Sequence, residues 1–214
     1  AMHPILHVLL TIHIVAGFTA LGTSLVAAIN KLANWPHRWH ALAGRLFFVA
    51  MTAIFATAVP LSIATRNLFL LLIAVFSFYL ALSGWSYARN RTGEPAALDW
   101  TRVLTMLASA VAMALYGSYL LYRGSNDGIT LLVFAILAGF LSFKDLSILR
   151  AGGFTGNARI ARHLTMMLAG SIATITAFLV VNIQFSPMLV LWLAPTALIT
   201  PFIFFMNARV LKQP

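Results

Sequence analysis

Apolar residues occur along the chain in seven long, nearly uncharged runs, separated by short segments where charge, proline and glycine collect. A membrane-spanning helix needs about 20 mostly apolar residues. Cutting at the polar segments predicts helices over about 5–29, 42–65, 67–88, 103–122, 129–146, 163–184 and 188–208. The fifth has the shortest apolar core, which ends at Phe143. The last two come from one uncharged stretch, 163–208, too long for a single span, with Gln184, Phe185, Ser186 and Pro187 as the turn. Pro195 and Pro201 inside the seventh run are expected to kink it, which a bundle tolerates where neighbouring helices satisfy the freed carbonyls. The pattern predicts an all-α integral membrane bundle of seven transmembrane helices, a single domain over 1–214.

Composition agrees: 61% of residues are hydrophobic and 8% charged, against about a quarter charged in soluble domains. The basic residues set the expected orientation. Lys31, Arg38, Arg45, Arg89, Arg91, Arg102, Lys144, Arg150, Arg159, Arg162, Arg209 and Lys212 fall on one side of the predicted spans, and only Arg66 and Arg123 on the other. By the positive-inside rule the N-terminus is outside and the C-terminus cytoplasmic. The first run lacks a basic start and a small-residue cleavage site, so it reads as a retained helix rather than a signal peptide. The longest loops, 89–102 and 150–162, are then cytoplasmic; the second, with Gly152, Gly153 and Gly156, is expected to be a flexible turn before a short basic helix.

The net charge of +10 would suggest nucleic acid in a soluble protein; here it fits basic loops facing anionic lipid headgroups, and no nucleic-acid partner is expected. Cysteine is absent, which excludes disulfides, thiolate metal sites and cysteine nucleophiles. Glu94, Asp99, Asp127 and Asp145 all fall at or beyond predicted helix ends. No carboxylate is therefore expected at mid-membrane, which weakens a proton-coupled carrier. The seventh helix holds no lysine for a retinal Schiff base.

Histidine remains. His3 and His7 belong near the outer interface and His37 in a loop. His13 lies well inside the first helix, and an intramembrane ionisable group suggests function; otherwise it is a neutral imidazole bonded to a neighbouring helix. His40 opens the second predicted helix and His163 the sixth, both on the cytoplasmic side with Asp145 at the same depth. Each histidine has a glycine on its own helical face: Gly17, Gly44 and Gly170. Glycine lets a flat macrocycle approach the backbone, although small residues are common at helix interfaces for packing alone. Arg38, Arg45, Arg150, Arg159 and Arg162 surround the same rim, as partners for haem propionates, a phosphorylated substrate or lipid headgroups.

HIVAGFTALGTS from His13, HALAGRLFFVAM from His40 and RHLTMMLAGSIATITAFLVVN from Arg162, with a tryptophan-containing last helix, resemble the bacterial membrane family called domain of unknown function 2306. The resemblance covers most of the chain. It implies a multi-pass protein of the bacterial inner membrane and singles out His13, His40, Asp145 and His163.

Three functions compete. In the first, His40 and His163 ligate haem b for electron transfer or oxidoreduction with a redox partner, Gly44 and Arg45 lying beside the cofactor. His13 would sit roughly 20 Å away at 1.5 Å per residue. In the second, His40, His163 and Asp145 hold zinc for a hydrolase acting at the inner leaflet, without an obvious general base. In the third, the protein is a non-enzymatic carrier with Asn30, Thr52, Thr57, Asn182 and Gln184 around a cavity.

Overall fold

The computed structural model describes residues 4–33, 36–153 and 155–212. They form seven helices: α1 (Pro4–Leu32), α2 (His37–Ala64), α3 (Leu68–Arg89), α4 (Ala97–Tyr122), α5 (Asp127–Arg150), α6 (Gly156–Asn182) and α7 (Met188–Leu211). All seven are long and apolar enough to cross a membrane. A helix satisfies its backbone internally, the condition for lying in lipid. The outward side chains match: Val181 is 82% exposed, Leu198 78% and Leu115 69%. In water such a surface would aggregate.

The helices extend beyond the apolar runs. α2 starts at His37, α4 at Ala97 and α6 at Gly156, while α5 continues to Arg150. Hydropathy marks only the lipid-facing length; polar turns remain helical where their side chains find partners within the bundle. The expected short basic helix before the sixth span is therefore the first turns of α6 itself. Asp145 is likewise inside α5 rather than at its end, and it is fully buried. α7 runs unbroken through Pro195 and Pro201. His3 lies outside the described residues.

Four helices, α1, α2, α3 and α6, close a ring in which each packs on two others. The opposite members, α1 with α3 and α2 with α6, approach nowhere to within 8 Å between Cα atoms. The α4–α5 hairpin lies along α3, and α7 packs on α6 and α5. α4 and α5 approach closely at Gly117 and Gly128, where a Cβ on Gly128 would lie 2.6 Å from the Gly117 carbonyl oxygen. The main core joins α3 to the hairpin, α6 and α7 through Leu80, Met106, Met113, Leu131, Met166 and Trp192. A second core of Ala20, Phe47, Ala50, Met51 and Ala81 fills the ring. The α1–α2, α3–α4 and α5–α6 loops share the end where the basic residues collect, called here the basic end.

Candidate functional site

Three histidines are held in one manner. In α1, His13 Nδ1 is 3.0 Å from Thr57 Oγ1 of α2. The Thr57 hydroxyl donates its own proton to the Ala53 carbonyl, 2.7 Å away, so the Thr57 oxygen accepts and His13 Nδ1 donates. His40 Nδ1 donates to the Ala27 carbonyl of α1 at 3.1 Å, and His163 Nδ1 to the Gly84 carbonyl of α3 at 2.8 Å. A carbonyl only accepts, so both rings carry a proton on Nδ1. In the neutral ring this leaves the Nε2 lone pair free, and anchoring of Nδ1–H is what orients a metal-ligating histidine.

His40 and His163 are brought together and His13 is not. They stand on opposite helices of the ring, α2 and α6, within electrostatic reach of each other. His37 packs beside His40 with ring centroids 6.0 Å apart. A Cβ placed on Gly44, one turn beyond His40, would meet nothing within 4 Å, and the same holds for Gly17. Gly170 behaves differently. A Cβ there would lie 3.3 Å from the Phe47 ring, so this glycine admits a phenylalanine rather than a macrocycle. Arg45 is exposed. The described residues contain no group of three or more His, Asp or Glu side chains placed to share a metal ion.

Asp145, expected beside the histidines as a ligand, instead centres a separate buried cluster. Oδ2 accepts from Tyr79 Oη at 2.6 Å and faces Arg102 Nη1 at 3.5 Å. Oδ1 accepts from Tyr87 Oη at 2.9 Å and Arg162 Nε at 2.7 Å. Four donors match the roughly four lone-pair sites of a carboxylate, so none remains for a metal. Arg162 also donates to the Leu141 carbonyl at 2.7 Å. Arg102 continues the chain to Asp99 through Nε at 3.1 Å and lies 5.1 Å over the Tyr87 ring. Asp99 accepts from Ser86 Oγ at 2.6 Å and, in the first turn of α4, from the Ala96 amide at 2.9 Å. Its negative charge there is favoured by the helix dipole.

Two aspartates and two arginines cancel in formal charge, which permits their burial. The cluster links α3, α4, α5 and α6. Beside it, Arg159 donates to the Tyr87 and Ala88 carbonyls, covering free acceptors at the end of α3. Toward the basic end, Ser86, Tyr87, Asn90, Gly93, Asp99 and Arg102 line a crevice offering about 10 Å³ to the centre of a water molecule. It closes where Gly153, at φ 89°, approaches the Gly93 carbonyl so nearly that no Cβ fits between them.

Sequence reading isolated Asp145 and placed Arg162 at the rim, but missed Tyr79, Tyr87, Ser86, Asp99 and Arg102 as their partners. One signal was present. The separations of Asp99 from Arg102 and of Tyr79 from Tyr87 put each pair on one helical face, and charge inside a span calls for a partner. Comparison of the chain with protein-family models, curated proteins and solved structures finds no match.

Proposed function

We propose that the protein is a multi-pass inner-membrane protein that binds haem b between α2 and α6 through Nε2 of His40 and His163, and serves in electron transfer. One observation carries this reading: two histidines on opposite helices of a four-helix ring, each with Nδ1–H committed to a backbone carbonyl and Nε2 left over. The open space at Gly44 suits a flat ligand beside the His40 turn. Haem held by two imidazoles supplies one-electron chemistry. The chain's own contribution is to fix both rings through their Nδ1–H groups. Orientation follows from the basic residues, with the N-terminus outside and the C-terminus cytoplasmic. The cofactor then lies near the cytoplasmic face, where a redox partner would dock. Zinc hydrolysis is less well supported, because a catalytic zinc takes three protein ligands and Asp145 is already saturated by four donors.

The test is an absorption spectrum of detergent-purified protein, oxidised and then reduced with dithionite, with iron and zinc measured on the same sample. A Soret band that sharpens on reduction, about one iron per chain, and loss of both in His40→Ala and in His163→Ala are the expected results. Protein without haem under haem-replete expression, or retention by both variants, overturns the proposal. Stoichiometric zinc would favour the hydrolase, and neither cofactor the carrier.

A further inference from the structure

The chain is uncharged over 46–65 and over 67–88, each about the length that crosses the hydrocarbon core. Arg45 and Arg89 end those lengths at the basic end. They therefore stand at one depth on two neighbouring helices, α2 and α3, at the edge of the hydrocarbon where lipid phosphates lie. Both are exposed. Neither forms an ion pair among the described residues, where Asp99 and Asp145 pair with Arg102 and Arg162.

The two arginines also share a seam. α2 and α3 run antiparallel and are joined by two stacked aromatic pairs, Phe48 on Trp85 with ring centroids 4.7 Å apart and Phe55 on Phe78 at 4.5 Å. Arg45 stands three residues from Phe48 and Arg89 four from Trp85, each about one turn toward the basic end. The Arg89 guanidinium lies 5.3 Å from the centre of the Trp85 ring, so it is turned back toward the stack. Thr52, exposed and one turn beyond Phe48, donates its hydroxyl to the Phe48 carbonyl, which leaves apolar surface along the seam. Arg45 does not face the histidine pair. Five residues on from His40, it lies about 140° around α2 from that ring, which removes it from the cofactor side where its sequence position suggested it.

We propose that Arg45 and Arg89 clamp the phosphate of one anionic phospholipid, of the phosphatidylglycerol class, with an acyl chain lying along the α2–α3 seam over Phe48 and Trp85. Charge selects the class. Guanidinium groups bind phosphate oxygens in a bidentate manner, and two without a counter-ion attract a phosphodiester in the adjoining leaflet. A zwitterionic headgroup would bring its ammonium to two like charges, with no carboxylate paired to either. The lipid site is separate from the histidine pair and independent of whether that pair binds haem.

Native mass spectrometry of the delipidated full-length protein, titrated with dioleoylphosphatidylglycerol or dioleoylphosphatidylethanolamine, counts bound lipids one at a time. The first phosphatidylglycerol should bind at least about tenfold tighter than the first phosphatidylethanolamine. Arg45→Gln and Arg89→Gln should each weaken it about fivefold, and the double variant should bind the two lipids equally. Arg209→Gln is the matched control. Arg209 is exposed at the same end and lies 5.5 Å from the centre of the Phe205 ring, but α7 approaches α2 nowhere to within 8 Å between Cα atoms, so this substitution should leave the first lipid unchanged. The charge-state distribution in the same spectra reports that each variant is folded. Equal affinity of the wild type for both lipids, an effect of only one seam substitution, or an equal loss in Arg209→Gln would overturn the site.

Discussion

Replacing Asp145 by asparagine removes one charge and leaves two arginines facing each other across a buried site. The two do not suffer equally. Arg102 keeps Asp99, whose Oδ1 lies 3.1 Å from both Nε and Nη2. Among the described residues Arg162 pairs with Asp145 alone, at 2.7 Å, and afterwards retains only the Leu141 carbonyl. Charges about 4 Å apart interact by about 4 kcal/mol at an effective dielectric of about 20, and removing one partner of a buried pair costs about 3–5 kcal/mol. Asp145→Asn should therefore lower unfolding stability by about 4 kcal/mol. Asp99→Asn, which leaves Arg102 facing Asp145, should cost about 1–2 kcal/mol. Because most of the larger penalty is an orphaned cation, Asp145→Asn combined with Arg162→Met should be more stable than Asp145→Asn alone. Equilibrium unfolding in mixed micelles of rising SDS fraction, followed by the fluorescence of the five tryptophans, measures all three. An Asp145→Asn protein within about 1 kcal/mol of wild type, or a double variant no more stable than that single one, would refute the account of a closed, charge-balanced cluster.

Other substitutions separate packing from chemistry. Gly128→Ala places a Cβ against the Gly117 carbonyl and the Leu121 backbone, so unfolding measurements should show a loss of about 1–3 kcal/mol; Gly44→Ala meets nothing and should change stability by less than about 0.5 kcal/mol. His13→Ala should leave any cofactor spectrum unaltered, since this ring is held by the Thr57 hydroxyl and the Ile54 backbone of α2, and should cost about 0.6 kcal/mol per hydrogen bond, typical of hydrogen bonds between membrane helices. His40→Gln and His163→Gln should lose the haem signal as completely as the alanine variants if Nε2 ligation is correct, and spectra of both test it.

The bundle was legible in the sequence because lipid imposes a length on each apolar run, and seven runs gave seven helices. The ends were not, because hydropathy is blind to a polar turn that stays helical by pairing inward. The same blindness hid the Asp145 cluster: read as the end of a shortened fifth helix, Asp145 looked solvated, whereas four more residues of helix follow it before Arg150. That His40 and His163 lie near one another was legible, because it depends only on the order of the helices. Which nitrogen each presents, and that Phe47 occupies the space at Gly170, depends on helices distant in sequence.

The position of α6 between α1 and α3 bears on biogenesis. Spans leave the ribosome in order, so α1, α2 and α3 enter the membrane as an open trough, with Gly84 and its carbonyl facing whatever fills the fourth place. The α4–α5 hairpin follows and delivers Asp145 with only one of its two arginines, Arg102, already present. Until α6 brings Arg162 and His163, the nascent protein carries an under-compensated carboxylate and an unclosed ring. Truncation before Gly156 would halt the chain in that state, a form that membrane quality control is equipped to remove.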